Sequence, residues 1–269
     1  MAVSDGAGAV MLRRIGQYWR IVGTGFSFAI FGLGGLFLRI AIFPMLKLVI
    51  WEHELQVALS RKVIRFSFIA FIGIMRVLGV LRFTISGLER LERQGLLIIA
   101  NHPTLIDTIF LMALVKRADC VVKNELWNNP FTRGPVRAAG YINNASGSNL
   151  IDDCIISLQK GSNLIIFPEG TRTPENGAIT LKRGAANIAV RGERNITPVT
   201  IRCTPSTLGK GEKWWQVPSR WVHFSIQIGE DIDIHPFIDE NSNEVLAVRH
   251  LTNYLQDYFN KENERHAFA

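Results

Sequence analysis

The spacing of apolar residues divides the chain in two. From Ile21 to Leu38 there is no ionisable side chain, a run of about eighteen residues and just long enough to cross a bilayer core as a helix. Arg39 interrupts this run and Ile40 to Ile50 resumes it. Val63 to Leu81 is apolar except for Arg65 and Arg76. Sparse cations among Phe66, Phe68, Phe71 and Met75 suit a helix lying in the membrane interface, its arginines reaching to phosphates. A pair of buried core helices would show similar hydropathy. The glycines between Gly23 and Gly35 favour lipid, where they are ordinary, over a soluble helix, whose propensity they lower.

Beyond Arg82 the period changes. Short β-branched runs appear at Phe83–Ser86, Leu96–Ala100, Cys120–Val122, Asn163–Phe167, Thr197–Ile201 and Trp221–Ile228. Helical spacing separates them at Thr104–Val115, Asn149–Gln159 and Lys182–Val190, and a last amphipathic helix covers Glu244–Phe259, with Asn241 or Ser242 as its N-cap. Alternation of this kind predicts an α/β fold: a largely parallel central sheet flanked by helices, preceded by N-terminal membrane-associated helices. The boundary falls near residue 82, with residues 1–82 as the anchoring segment and 83–269 as the α/β domain.

Composition sharpens this division. With 48% hydrophobic and 20% charged residues the 269-residue chain is neither disordered nor fibrous. A mean hydropathy of +0.16 is high for a soluble enzyme and low for a polytopic membrane protein. The net charge of +7 lies wholly within residues 1–100, while the remainder is neutral. That distribution points to an anionic membrane surface and away from nucleic acid. Arg13, Arg14 and Arg20 precede the apolar run, so by the positive-inside rule the α/β domain is expected on the cytoplasmic side of the inner membrane. No small-x-small site follows Leu38, so the anchor is expected to be retained. Cys120, Cys154 and Cys203 are scattered without a Cys-x-x-Cys pair, which argues against a zinc site or a disulfide framework.

The candidate chemistry lies at the end of one strand. Leu96–Ala100 runs into Asn101-His102-Pro103-Thr104-Leu105-Ile106-Asp107. Pro103 disfavours helical geometry at His102 and suits the first turn of a helix, so His102 belongs at the strand-to-helix corner. Open α/β sheets bind ligands at that edge. Asp107, one turn up the following helix, can accept a hydrogen bond from one imidazole nitrogen and leave the other as a general base. No Gly-x-Ser-x-Gly elbow occurs, so the hydroxyl that His102 activates belongs to a substrate. A second strand, Asn163–Phe167, ends in Pro168-Glu169-Gly170-Thr171-Arg172, a turn whose charges and free N–H groups suit a phosphate on a polyol.

These two blocks resemble the signatures of the glycerolipid (lysophospholipid) acyltransferase family. Lys123-Asn124-Glu125-Leu126 continuing to Gly140-Tyr141-Ile142 resembles its second block, and Ile196-Thr197-Pro198-Val199 its fourth. The resemblance covers roughly Phe83 to Ile228. It implies direct acyl transfer to a lipid hydroxyl from acyl-CoA or acyl carrier protein as co-substrate, with no covalent acyl-enzyme, no metal and no further cofactor. It also implies His102 as base, Asp107 as its orienter, and Glu169, Gly170 and Arg172 as holders of the acceptor's phosphate and glycerol. Asn101, Lys123, Thr171 and Pro198 complete the expected substrate-binding set. One departure stands out: the family's second block ends in an arginine beyond its glycine, whereas here Asn143-Asn144-Ala145-Ser146 follows. Lys182 and Arg183 are the candidate replacements, and a non-phosphate acceptor is the alternative. A lipid hydrolase using the same pair, or a non-catalytic lipid-binding protein, are the readings from other classes.

Overall fold

A computed structural model describes residues 4–129, 132–145, 147–174, 179–239 and 243–265. Helix α1 (Ser4–Phe37) passes through a π-helical segment, Leu38–Ile42, into α2 (Phe43–Val49). The backbone at Phe37 and Ile42 stays right-handed helical, so Arg39 does not break the helix. Pro44, in the first turn of α2, has no N–H to return to the preceding turn, and the wider π register accommodates that loss. Helix α3 (His53–Val77) begins well before Val63 and ends before Leu81. Gly79, at φ +67°, turns the chain away, and Leu81 already belongs to a strand.

The strands and helices that follow are β1 (Leu81–Ser86), β2 (Leu97–Ala100), α4 (Asp107–Leu114), β3 (Ala118–Val122), α5 (Asn124–Asn128), α6 (Arg133–Ala138) and β4 (Ile142–Asn143). Then come α7 (Leu150–Gln159), β5 (Asn163–Ile166), α8 (Gly184–Gly192), β6 (Ile196–Thr204), β7 (Val222–Ile228), α9 (His235–Asp239) and α10 (Glu244–Arg265). The expected N-cap of the last helix lies outside the described residues. One seven-stranded sheet has the order β1-β7-β6-β2-β5-β3-β4. Every pairing is parallel except β6 with β7, so β1 and β7 run against the other five. The carboxyl ends of β2, β5 and β6 meet at one edge, where the amino ends of β7 and β1 also arrive.

Strand alternation sorts the core into two faces. Ile98, Ala100, Ile165, Val199 and Ile201 point towards α3 and α4, with Phe110, Phe224, Phe71 and Met75. Leu97, Ile99, Leu164 and Ile196 point the other way, onto α7, α8 and α10. The result is a mostly parallel α/β/α sandwich. Residues on the two sides of position 82 share one core, because α3 buries Ile64, Phe71, Ile72 and Met75 in it while leaving Phe66, Ile69 and Val77 exposed. Helix α1 adds a further layer: Phe28 and Phe31 meet Phe71 and Phe68 at ring separations of 4.7 to 5.8 Å. Its opposite side exposes Tyr18, Trp19, Val22, Phe26, Leu33 and Phe37.

A polar clamp fastens α3 to the sheet edge away from the strands' carboxyl ends. Arg61 pairs with the buried Asp119 at 2.8 Å and donates to Ala139 O and Ser162 Oγ. Asp119 also accepts from Ser157 Oγ and from Cys120 N–H. Removing one partner of a buried pair strands the other charge. Arg61→Ala should therefore lower stability by about 3 kcal/mol or more, seen as a fall in Tm in detergent. Arg61→Met combined with Asp119→Leu should recover most of it.

Candidate active site

The site is built where β2 and β5 end. Asn101, still buried, uses its amide as an extra rung of the ladder: Nδ2 donates to Ile201 O at 2.8 Å and Oδ1 accepts from Ile201 N at 2.7 Å. This holds the β2 exit against β6 and aims His102 outward. Its Nδ1 lies 3.0 Å from Asp107 Oδ2. Helix α4 begins only at Asp107, with Ile106 as its N-cap, so the aspartate opens the helix and does not sit one turn up it. The physical reason is local. The carboxylate turns back to accept the Thr104 N–H at 2.5 Å and the Thr104 hydroxyl at 2.6 Å, which holds residues 104–106 in a turn.

Asp107 is fully buried. Burial pushes its pKa up, opposed by the donors on His102 and Thr104. With Nδ1 committed, Nε2 is the imidazole nitrogen that remains for a substrate, and the His102 side chain is 18% exposed. Phe167 stacks on the imidazole at 4.4 Å and 29°, fixing the ring plane and excluding water from one face.

The second turn is bonded to the first. Glu169 Oε1 accepts the His102 N–H at 2.9 Å and the Thr173 hydroxyl at 3.0 Å, and the Thr173 N–H returns to His102 O at 2.8 Å. Glu169 is itself buried, which raises its pKa against these two hydrogen bonds. It is thus a brace between the turns. Gly170 adopts φ +67°, and a Cβ there would lie 2.8 Å from Lys182 Nζ. The ammonium therefore sits directly over this turn, while Arg183 is exposed at the N-cap of α8. Arg172 Nη1 donates to Leu208 O at 3.0 Å and Gly209 O at 2.6 Å, gripping the loop after β6. Thr171 is exposed beside it.

Two expected residues are placed apart. Lys123 is exposed at the β3–α5 corner, on the same sheet edge. Pro198 is buried inside β6, paired with Ile99, and its carbonyl takes the Gly229 N–H. It belongs to the sheet interior and not to the edge. Arg20 is likewise not free to meet lipid phosphates: it is 4% exposed and donates to Ser219 O at 2.7 Å.

Thr104, Phe167, Thr173 and the 205–209 loop were not foreseen from the sequence. Thr104 had a local signal, a hydroxyl three positions before an aspartate next to a proline. The others had none, because their partners come from distant strands. Among the described residues near His102, Thr104 spends its hydroxyl on Asp107, and burial pushes the Cys203 thiol up to about 12. Neither is a ready nucleophile.

Residues 82–202 match the Acyltransferase family. A 1-acyl-sn-glycerol-3-phosphate acyltransferase of Saccharomyces cerevisiae is 31% identical over 155 residues, covering 51% of this chain and 48% of the relative. One of Pseudomonas aeruginosa is 28% identical over 137 residues, covering 48% of this chain and 52% of the relative. The chain thus spans about half the length of each of these relatives. The crystal structure of PlsC, the 1-acyl-sn-glycerophosphate acyltransferase of Thermotoga maritima, superposes with a TM-score of 0.64 at 20% identity, covering 94% of this chain and 97% of that one. That likeness shows the shared fold, and the segment that matches the Acyltransferase family model, residues 82–202, holds His102, Asp107 and the Glu169–Arg172 turn.

Proposed function

We propose that this protein transfers an acyl group from a thioester donor, acyl-CoA or acyl carrier protein, to the free hydroxyl of a lysophospholipid such as 1-acyl-glycerol-3-phosphate. The observation that carries this reading is a His–Asp pair with one open nitrogen, beside which the Thr104 and Thr173 hydroxyls are each spent on a buried carboxylate. His102 Nε2 takes the proton from the acceptor hydroxyl as its oxygen attacks the thioester carbonyl. The carbon–sulfur bond then breaks, and the leaving thiolate recovers the proton from the imidazolium. Asp107 holds the Nδ1–H tautomer and stabilises the charged ring, as the third member of a hydrolytic triad does. The names of the relatives support the acceptor class. Lys182 over Gly170, together with the remaining donors of Arg172, supplies positive charge for the acceptor's phosphate where the second block has no arginine.

The membrane reading is finer than hydropathy alone. One stretch, 14–49, is long and apolar enough to cross a bilayer, yet it touches the α/β domain at Gln17, Arg20 and Arg39, α3 at Phe28 and Phe31, and the shared core at Phe43. Contacts spaced from Gln17 to Phe43 support an in-plane arrangement, its outer apolar stripe sunk into the cytoplasmic leaflet of the inner membrane.

Purified protein offered acyl-CoA or acyl carrier protein and a panel of lysolipids should form diacyl product and free thiol in equal amounts. Free fatty acid in place of diacyl lipid would mean that water is the acceptor. His102→Ala should lose about 10²- to 10⁴-fold in turnover, and Asp107→Asn less, since the base remains but is poorly oriented.

The two variants should also part in stability. Because the folded state raises the Asp107 pKa, the folded protein holds that proton more tightly than the unfolded chain. Stability contributed by the protonated carboxyl is present at acid pH and lost as pH rises from the ordinary carboxylate range through the raised value. Asp107→Asn should therefore lack that loss, so that its Tm falls less than the parent's between acid pH and pH 7, despite its lower activity.

Arg172→Ala should raise KM for the lipid acceptor more than for the thioester, and Arg172→Lys should restore only part, because a forked guanidinium becomes a point charge. A donor-specific effect would place Arg172 on the thioester side.

A further inference from the structure

The connection between β6 and β7, residues 205–221, includes Lys-Trp-Trp-Gln-Val-Pro-Ser-Arg-Trp from Lys213 to Trp221. Its three indoles are held outward: Trp214, Trp215 and Trp221 are 44%, 46% and 49% exposed. Half-exposed tryptophans on a loop are costly in water, and each of these is backed by a specific support. Trp214 lies against Gly25 of α1, where a Cβ would come within 2.9 Å of the ring. Trp215 meets Trp214 edge-on at 5.5 Å and carries Lys213 over its face at 5.1 Å. Trp221 packs on Gly79 and is capped by Arg82 at 4.3 Å.

The loop is also tied in two directions. Towards α1, Val217 O accepts from Gln17 and Ser219 O from Arg20. Towards the catalytic corner, Leu208 O accepts the Leu105 N–H and Arg172, and Gly209 O accepts Arg172 again. Tyr18 and Trp19, exposed at the start of the apolar run, continue the aromatic band onto α1, with Trp19 Nε1 bonded to Leu78 O. Lys210, Lys213, Arg220 and Arg82 are exposed around it. Glu212, the loop's one acid, turns inward to the Gly209 N–H.

Indoles interleaved with exposed cations, continuous with an apolar helical stripe, have the composition of a membrane–water interface. We infer that the 205–221 loop is a bilayer contact in its own right: it seats Trp214, Trp215 and Trp221 at the headgroup level and holds the catalytic edge against anionic lipid. The inference rests on the in-plane membrane reading and adds a second attachment point, on the α/β domain itself. It also gives Arg172 a positioning role, through the carbonyls of the same loop.

The test uses the full chain reconstituted on vesicles of phosphatidylcholine and phosphatidylglycerol whose acyl chains carry bromine at shallow or deep positions. Trp214→Phe/Trp215→Phe keeps the apolar rings and isolates the pair by difference from the parent. The expected result is that the emission belonging to Trp214 and Trp215 is quenched by shallow bromine, more than by deep bromine, and that this quenching disappears in the double variant. Flotation of the protein with vesicles while the pair stays unquenched overturns the loop contact alone. Failure to float overturns the membrane reading and this inference with it. Shielding of the pair from aqueous iodide by added acyl carrier protein, without lipid quenching, makes the loop a protein-docking surface and overturns the bilayer contact. Quenching does not depend on turnover, so none of these outcomes is confused with failure of the acyltransferase reading.

Discussion

The site depends on a carboxylate kept out of water. Asp107 has no exposed surface, and an ionised carboxyl at such a place is tolerated only if donors replace its hydration. Three are supplied: His102 Nδ1, the Thr104 N–H and the Thr104 hydroxyl. Satisfying that one group fixes the turn 104–106, the start of α4, the tautomer of His102 and the direction of its open nitrogen. The geometry of the His–Asp pair is therefore a by-product of a buried-charge problem solved locally, and the sheet has only to deliver the turn to its edge.

Delivery is the task of the surrounding hydrogen bonds. The Asn101 amide extends the β2–β6 ladder by one rung, and Glu169 joins the turn after β5 to the backbone of His102. Both are polar side chains buried to 5% and 6% exposure, and each spends an oxygen on a backbone N–H. Residues that look like substrate ligands by type are here partly structural. Glu169 braces two turns, and one nitrogen of Arg172 braces a third. The proposed anionic acceptor would then draw its positive charge from Lys182 and from the rest of the Arg172 guanidinium.

The N-terminal helix follows the same economy. Its apolar residues cover more than one side, so Phe28 and Phe31 pack on α3 while Phe26 and Leu33 stay exposed. Position 82 marks a change in sequence period, from helical to strand spacing. It does not mark a gap in packing, because α3 supplies core residues to the sheet that begins just after it.

Local chemistry was legible in the sequence. His102, Pro103 and Asp107 lie within one turn, the apolar runs Leu97–Ala100 and Asn163–Ile166 are buried strands, and the period change near Arg82 separates helix from sheet. These follow from neighbours in the chain, whose spacing is the pattern itself. What the pattern could not decide was set by partners far apart. The antiparallel β7, the continuity of the helix through Arg39, the inward turn of Arg20 and the interior position of Pro198 all depend on which strand or loop lies alongside. The stacking of Phe167 on His102 and the grip of Arg172 on Leu208 and Gly209 are of the same kind. A side chain's type and spacing determine what it can bond to, whereas only the closed tertiary structure determines which of those groups comes within reach.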